Sequence, residues 1–290
     1  MARDYRYRVV DVFTETALEG NALAVFPDAS GLDGGTMQKI ARELNLSETT
    51  FVLPPTLADC TANVRIFTPT KEMIFAGHPT VGTAFVLADE GRVPAGCTRF
   101  SLEEKVGAVP VQRDERGRFW LTTPAIKDGP SFDPSLCAEV LGLERADLLD
   151  LPPQLLSAGN PTLFVPLRDK GVVDRASLDM SGARKLRAEQ QGFCVFVFTP
   201  TAEGAYSRMF APEFGMVEDP ATGSSTGPLA VYMMRHGLAA RGAGTQFHSE
   251  QGTRMGRKSI LYVHVRGESG CDGIDVGGYV TPLADCMMRL

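Results

Sequence analysis

The feature that most constrains this 290-residue sequence is an internal repeat. The segment RIFTPTKEMIFAGHPTVGTAFVL, which starts at Arg65, can be laid over RMFAPEFGMVEDPATGSSTGPLAVYM, which starts at Arg208. Both begin R-x-F-x-P, reach a turn of small residues with a glycine, and continue into a helical pattern, and the second copy is three residues longer before its glycine. Repetition of a whole strand-turn-helix unit predicts two halves with the same architecture.

Short strand-like runs alternate with helical patterns along the whole chain. YRYRVVDVF and NALAVF come early, and TLFVPL, GFCVFVFTP and SILYVHV come later. GGTMQKIARELN carries its apolar residues at helical spacing. This mixture predicts an α+β fold. At roughly 150 residues per domain, the length predicts two domains, 1–122 and 123–290, with the last strand able to return to the first.

Each copy of the repeat offers a helix N-terminus directly after a glycine, Gly77 in the first half and Gly223 in the second. A helix N-terminus presents unpaired N–H groups and a partial positive charge, so two such ends facing each other can hold a carboxylate. The alternative reading is that both are ordinary strand-to-helix turns in which His78, Ser224 and Ser225 act only as local caps.

Three side chains are candidates for moving or holding a proton. Glu48 lies between a helix and an apolar strand, where its pKa could be raised to suit a group that takes and returns a proton, although such a residue is often simply solvated. His78, at a helix start, could donate to an anionic group or be structural. Asp219 lies in the insertion of the second copy, where it could carry the asymmetric part of a site or form an Asx-turn or cap.

Composition argues against several other functions. With 29 Lys and Arg against 35 Asp and Glu, a net charge of -6 and no basic block, nucleic acid is not an expected partner. The start of the chain lacks the apolar core of a signal peptide, and the longest apolar run, FCVFVF, is too short to span a bilayer, so we expect a soluble cytoplasmic protein without membrane contact.

A metal site is not expected either. The four histidines form no metal-binding motif, and the six cysteines lack C-x-x-C spacing, so we interpret the cysteines as reduced thiols. These cysteines are Cys60, Cys97, Cys137, Cys194, Cys271 and Cys286.

Four segments, GNALAVF, LSETTFV, FAGHPTVGTAF and EDPATGSSTGPLAVYM, together closely resemble the PhzF (phenazine biosynthesis-like) family of isomerases. The resemblance covers nearly the whole chain, with the segments in the family's order. It implies the diaminopimelate-epimerase-like fold, in which two similar domains each wrap a β-barrel around a central helix and the active site lies in the cleft between them. It also implies a homodimer that works without a cofactor.

Carried over residue by residue, the resemblance assigns the family's acid/base glutamate to LSETTFV and its other site residues to the two glycine turns. Epimerases and racemases of this fold use two cysteines as their bases, and those positions correspond here to Ala76 and Thr222. A single glutamate can instead move a proton between two carbons on one face of a substrate. The implied catalytic residues are Glu48, His78 and Asp219, and the implied substrate-binding residues are Gly77, Gly223, Ser224 and Ser225.

The resulting hypothesis is a cofactor-independent isomerase that moves a proton on a small carboxylate-bearing metabolite. One alternative is an amino-acid racemase or epimerase on the same fold, which the missing cysteine pair argues against. Another is a non-catalytic binding or interaction protein, which the intact acid/base set argues against. The GNALAV motif has Ala22 where the family has proline, a departure that bears on substrate geometry.

Overall fold

A computed structural model describes residues 3–187, 192–212, 215–267 and 273–290. The chain divides into two compact units, one containing the chain up to residue 122 together with 277–290, and the other containing 123–276. The C-terminal strand is therefore part of the first unit.

The described strands and helices alternate along the chain. The strands are β1 (Asp4–Val12), β2 (Asn21–Phe26), β3 (Glu48–Leu53), β4 (Ala62–Phe67), β5 (Glu72–Met73), β6 (Arg99–Glu104), β7 (Gly107–Arg113), β8 (Phe119–Thr122), β9 (Lys127–Ser131), β10 (Gln154–Ser157), β11 (Pro161–Pro166), β12 (Cys194–Thr201), β13 (Gly204–Ala211), β14 (Met216–Asp219), β15 (Gln246–Gln251), β16 (Ser259–Val265), β17 (Ile274–Gly278) and β18 (Val280–Arg289). The α-helices are α1 (Gly34–Leu44), α2 (Gly77–Asp89), α3 (Pro134–Val140), α4 (Lys170–Arg175), α5 (Met180–Arg187) and α6 (Gly223–Arg235).

The two units repeat one order of strand pairing. In the first unit β18, β1 and β2 are antiparallel neighbours, β2 pairs in parallel with β3, β3 is antiparallel to β4, and β4 is parallel to β6. In the second unit β9, β10 and β11 are antiparallel neighbours, β11 is parallel to β12, β12 is antiparallel to β13, and β13 is parallel to β15. Helices α2 and α6 lie in the last of these parallel crossovers, so the sequence repeat is also a structural repeat.

The repeated R-x-F motif makes the same contacts in both units. The Arg65 guanidinium stacks over the Phe67 ring at 5.1 Å from its centroid, and Arg208 stacks over Phe210 at 4.8 Å. Each arginine also forms an ion pair with a glutamate of the short strand that follows, β5 or β14. Cation–π stacking and ion pairing together explain why both copies keep this pattern.

The helices α2 and α6 are buried at the centre of their units. Helix α2 packs against β1, β2, β3, β8 and β18, so the sheet of the first unit curls around it. A Cβ atom at Gly82 would lie 2.6 Å from Leu23 Cδ2 and 2.8 Å from Val12 Cγ2, so only glycine permits this close approach. Residues 223–234 of α6 are all buried, so this stretch of the helix has no exposed polar face.

Both central helices end in the same way. Gly91 and Gly237 each have φ of 69°, in the left-handed region that favours glycine. The next N–H, of Arg92 or of Leu238, donates back to a carbonyl five residues earlier at 2.9 or 2.8 Å, the pattern of a Schellman motif. Each of these glycines therefore ends its helix.

Alternating residues of β12 separate two cores in the second unit. Phe196 and Phe198 face α6, where the Phe198 ring meets the Tyr232 ring edge-on at 5.6 Å. Val195 and Val197 face the opposite way and pack with α3, α4 and α5. The side-chain period of two in a strand accounts for this division.

Two observations concern the expectations about membrane spans and cysteines. None of the described helices is both long and apolar enough to cross a bilayer. Cys60, Cys97, Cys137 and Cys286 carry free thiols, and Cys271 lies outside the described residues.

Candidate active site

The structure brings Glu48 and His78 together within the first unit. Glu48 is the first residue of β3, opposite Leu23 of the parallel strand β2, and is 8% exposed. His78 is the second residue of α2 and is 3% exposed. Its Nε2 atom lies 3.4 Å from Glu48 Oε2. The two atoms make no hydrogen bond at this separation, and catalytic contacts are often this long before a ligand binds.

Asn21 fixes the proton position on the His78 ring. Its side-chain Nδ2 lies 3.2 Å from His78 Nδ1. An amide nitrogen only donates, so Nδ1 accepts and the ring proton of the neutral imidazole is assigned to Nε2, the atom nearest Glu48. The sequence reasoning missed Asn21 as a site residue, although it belongs to the quoted motif GNALAV.

Burial sets the charge of His78. It lowers the pKa of this imidazole to about 3, because no solvent is available to stabilise the charged form. The ring is therefore neutral at physiological pH. A neutral imidazole adds no positive charge next to the Glu48 carboxyl group.

The first prediction concerns this imidazole. We expect the His78 ring to stay neutral, with its proton on Nε2, from pH 5 to pH 8, because burial holds its pKa at about 3. Nitrogen NMR of labelled histidine checks this, with His78→Gln as the variant that assigns the signal. Between about pH 3 and the unfolded value of 6.5 the unfolded chain binds the extra proton, so His78 makes stability rise with pH in that window. A His78 signal that titrates near pH 6.5 would contradict the prediction.

A hydrogen-bonded network surrounds Asp219 in the second unit. Asp219 is the last residue of β14 and is 4% exposed. The Thr222 hydroxyl donates to Asp219 Oδ2 at 2.5 Å. Gln251, at the end of β15, donates from Nε2 to the Asp219 carbonyl at 2.7 Å and to Thr222 Oγ1 at 3.0 Å, and its Oε1 accepts from the Thr222 N–H at 3.1 Å. Gln251 therefore fixes both ends of the loop that carries Asp219, and the sequence reasoning missed it.

The residues suggested as helix caps are not caps. The N-cap positions are Ala76 for α2 and Thr222 for α6, and neither side chain makes a capping hydrogen bond. His78, Ser224 and Ser225 lie within the first turns of the helices. The interpretation of these three residues as local caps is therefore wrong.

Equivalent asparagines support the first turns of α2 and α6. Asn21 contacts His78, the residue after Gly77, and Asn160 Nδ2 lies 3.5 Å from the Oγ atom of Ser224, the residue after Gly223. Both asparagines follow a glycine in the sequence. The structure therefore places His78 and Ser224 at matching positions of the repeat, each held by an asparagine side chain.

The two helix glycines and Ser225 differ in what they can offer a ligand. Gly77 and Gly223 are the first residues of α2 and α6, where N–H groups have no acceptor within the helix and can bind an anion. The Ser225 hydroxyl is 2.8 Å from Thr162 Oγ1, and its N–H donates to the Thr222 carbonyl. Ligand binding by Ser225 stays a prediction.

Comparison with known proteins identifies the family. The profile described as phenazine biosynthesis-like protein matches residues 10–283. The chain belongs to the PhzF family. It is 35% identical over 267 residues to the trans-2,3-dihydro-3-hydroxyanthranilate isomerase of Pseudomonas aeruginosa, and the match covers 91% of each chain. The relative is named as an isomerase, and this chain is a PhzF-family isomerase.

Solved structures show the same fold. A PhzF-family protein of Bacillus anthracis superposes with a TM-score of 0.85 at 26% identity, covering 99% of this chain and 100% of that one. A hydroxyproline epimerase of Agrobacterium vitis superposes with a TM-score of 0.67 at 14% identity, covering 99% and 93%, a likeness that concerns the fold alone. The predicted α+β, diaminopimelate-epimerase-like fold is confirmed.

The described residues contain no group of three or more His, Cys, Asp or Glu side chains placed to hold a metal ion. The predicted site residues of the first unit offer a carboxyl group, a neutral imidazole and backbone amides, and those of the second unit offer a carboxyl group, hydroxyls and backbone amides. This donor set suits proton transfer and hydrogen bonding to a polar organic ligand.

Proposed function

We propose that this PhzF-family isomerase moves a proton within a small carboxylate-bearing metabolite, with Glu48 taking the proton from one carbon and returning it to another on the same face. The observation that carries the proposal is the buried Glu48 carboxyl group 3.4 Å from the Nε2 atom of His78, whose burial keeps it neutral. A carboxylate oriented by a neutral donor can accept a proton, and the resulting acid can return it.

The other site residues hold the substrate in this proposal. His78 orients Glu48, and Asp219 binds or protonates a polar group of the substrate. The N–H groups around Gly77, Gly223 and Ser224 bind the carboxylate, because the start of a helix favours negative charge. No cofactor takes part. The homodimer implied by the family resemblance and the cytoplasmic location expected from the apolar pattern of the sequence remain predictions.

A racemase or epimerase activity is the weaker candidate. The two positions that carry the paired cysteines in such enzymes are Ala76 and Thr222. Ala76 has no ionisable group, and the Thr222 hydroxyl already donates to Asp219. These two residues cannot act as a pair of bases on opposite faces of a substrate. A two-base inversion therefore lacks support.

The first substrate to test is trans-2,3-dihydro-3-hydroxyanthranilate, because the relative at 35% identity carries that name. We expect conversion of this compound, or of another small carboxylate with an acidic C–H next to a conjugated system. With native enzyme in D₂O, the newly protonated carbon should carry deuterium in only part of the product, because a shuttled proton is returned before the carboxyl group exchanges with solvent. Mass spectrometry of the product measures this fraction.

The control is unlabelled product incubated with the enzyme in D₂O, which measures the deuterium that enters the product after turnover. Inversion of an amino acid by the protein, with no conversion of unsaturated carboxylates, would instead favour the racemase. Full deuteration at the new C–H would remove the support for a shuttle.

A further inference from the structure

A second buried carboxyl group lies beside the start of α2. Glu104 is the last residue of β6 and is 4% exposed. Its Oε1 atom is in hydrogen-bond contact with the Thr80 hydroxyl, and the Ala76 backbone amide also acts on the carboxyl group. Its Oε2 atom has no hydrogen-bond partner among the described residues. The mechanism proposed above does not use Glu104.

The repeat gives Glu104 a counterpart in the second unit. Glu104 ends β6 directly after Glu103, which pairs with Asn63 in the parallel strand β4, so one further step of this register places Glu104 level with the residue before Arg65. Gln251 ends β15 and lies level with the residue before Arg208 in the parallel strand β13. The two side chains therefore start from the same position of the repeated fold.

The two counterparts also make the same contact. The Gln251 side chain accepts from the N–H of Thr222, the residue before the α6 glycine, at 3.1 Å. The Glu104 carboxyl group interacts with the backbone amide of Ala76, the residue before the α2 glycine. A glutamine, which is always neutral, therefore performs in one unit what a glutamate performs in the other.

The two contacts of the Thr80 hydroxyl favour a proton on Glu104. Thr80 Oγ1 lies 2.6 Å from the Ala76 carbonyl oxygen as well as against Glu104 Oε1. A hydroxyl has one proton, whereas a carbonyl and an ionised carboxylate are both acceptors. If Glu104 is protonated, its O–H donates to Thr80 Oγ1 and the Thr80 proton goes to the Ala76 carbonyl. Thr226 makes the equivalent bond to the Thr222 carbonyl at 3.0 Å in α6.

We propose that Glu104 is a positioning residue that remains a neutral carboxylic acid in the working enzyme and holds the turn between Ala76 and Thr80 as the Gln251 amide holds its counterpart. The consequence for catalysis rests on the function proposed above. A neutral group leaves the positive potential of the α2 N-terminus available to an anionic substrate, whereas an ionised carboxylate there would oppose it.

The charged groups around Glu104 do not favour its ionisation. Arg65 of β4 and Lys105 both pair with Glu72 of β5, at 2.7 and 3.4 Å. The neighbouring Glu103 accepts N–H groups from the loop at residues 56–57, and His78 of α2 is neutral. With those cations occupied, burial dominates and raises the pKa of Glu104 to about 8, while donation from the Thr80 hydroxyl and the Ala76 amide to the ionised carboxylate would act in the opposite direction.

The test compares the pH dependence of unfolding in the native protein and Glu104→Gln. The folded protein keeps the Glu104 proton up to about pH 8, whereas the unfolded chain releases it near 4.5. Stability of the native protein should therefore fall as pH rises through this window. The ratio of its unfolding constant to that of Glu104→Gln should increase by up to about tenfold per pH unit. The opposite His78 titration is common to both proteins and cancels in the ratio.

Two further measurements complete the test. The infrared carbonyl band of a protonated carboxyl group should be present in the native protein at pH 7 and lost in Glu104→Gln. Turnover of Glu104→Gln should stay within a few-fold of the native value. Turnover of Glu104→Ala should fall, because alanine lacks the hydrogen bonds. A ratio of unfolding constants that does not change with pH, or the absence of that band, would overturn the proposal.

These readouts separate the two proposals. Unfolding and infrared spectra report the Glu104 proton even if the protein converts no substrate tested. If Glu48→Gln abolishes turnover while the unfolding ratio is flat, only the inference about Glu104 fails. If the ratio changes as expected and Glu48→Gln remains active, the proposed role of Glu48 fails instead.

Discussion

Replacement of Glu48 with glutamine should lower turnover by about 10²–10⁴-fold and leave the binding of a substrate analogue intact. Glutamine keeps the size of the side chain and can occupy the same place beside His78 Nε2, which lies 3.4 Å from the native carboxyl group. It cannot take up and return a proton. Chemistry and binding should therefore separate, which single-turnover kinetics and calorimetry with an unreactive carboxylate would measure.

The matched control is Glu43→Gln. Glu43 lies on α1 of the same unit and is exposed, so the same chemical change there should leave turnover and stability near native values. Near-native turnover by Glu48→Gln on any substrate that the native protein converts would show that Glu48 is not the base.

Replacement of Asp219 with asparagine should lower turnover by about 10²-fold or more. Asp219 is 4% exposed and accepts the Thr222 hydroxyl at 2.5 Å, and asparagine can keep that hydrogen bond while losing the charge and the ability to carry a proton. Because the loop stays anchored by Gln251, the loss should appear in turnover with little change in the melting temperature. Steady-state kinetics and thermal unfolding on the same samples measure both.

Two further variants serve as controls for Asp219→Asn. One removes the hydrogen-bond donor of Asp219, and the other makes the same chemical change at an exposed position. Thr222→Val removes the hydroxyl donor but leaves the carboxylate, so its effect on turnover should be smaller than that of Asp219→Asn. Asp150→Asn, a fully exposed change in the same unit, should be silent. An Asp219→Asn protein with native turnover would exclude Asp219 from the reaction.

The local predictions that held depend on residues close together in sequence. The helix over 34–44 buries Met37, Ile40 and Ala41 as its spacing predicts. The turn after Asp114 joins the hairpin strands β7 and β8 through local contacts as well, with the Asp114 N–H bonded to the Arg118 carbonyl at 3.0 Å. Periodicity and turn chemistry act over a few residues, so such elements can be read directly from a sequence.

The supporting residues of the site could not be found in this way. Asn21 meets His78 across 57 positions of the chain, and Gln251 meets the Thr222 amide across 29. The strand QFHSEQ that carries Gln251 has only a weak pattern of alternation. One signal was available for Asn21 and Asn160, since a Gly-Asn pair occurs in both halves of the sequence. These pairs lie before the repeated segments, which start at Arg65 and Arg208.

The sequence by itself determined the repeat, the two glycine turns and the set of residues that can carry proton chemistry, because these depend on residue type and local order. Only the tertiary structure decided how far the pKa values of individual side chains shift. Burial lowers the pKa of His78 to about 3 and raises the pKa of Glu104 to about 8, whereas hydrogen bonds from residues 56 and 57 lower the pKa of Glu103, next in sequence, to about 2. Desolvation and hydrogen bonding arise from distant segments that pack around each group, so the pKa values of two adjacent glutamates shift in opposite directions.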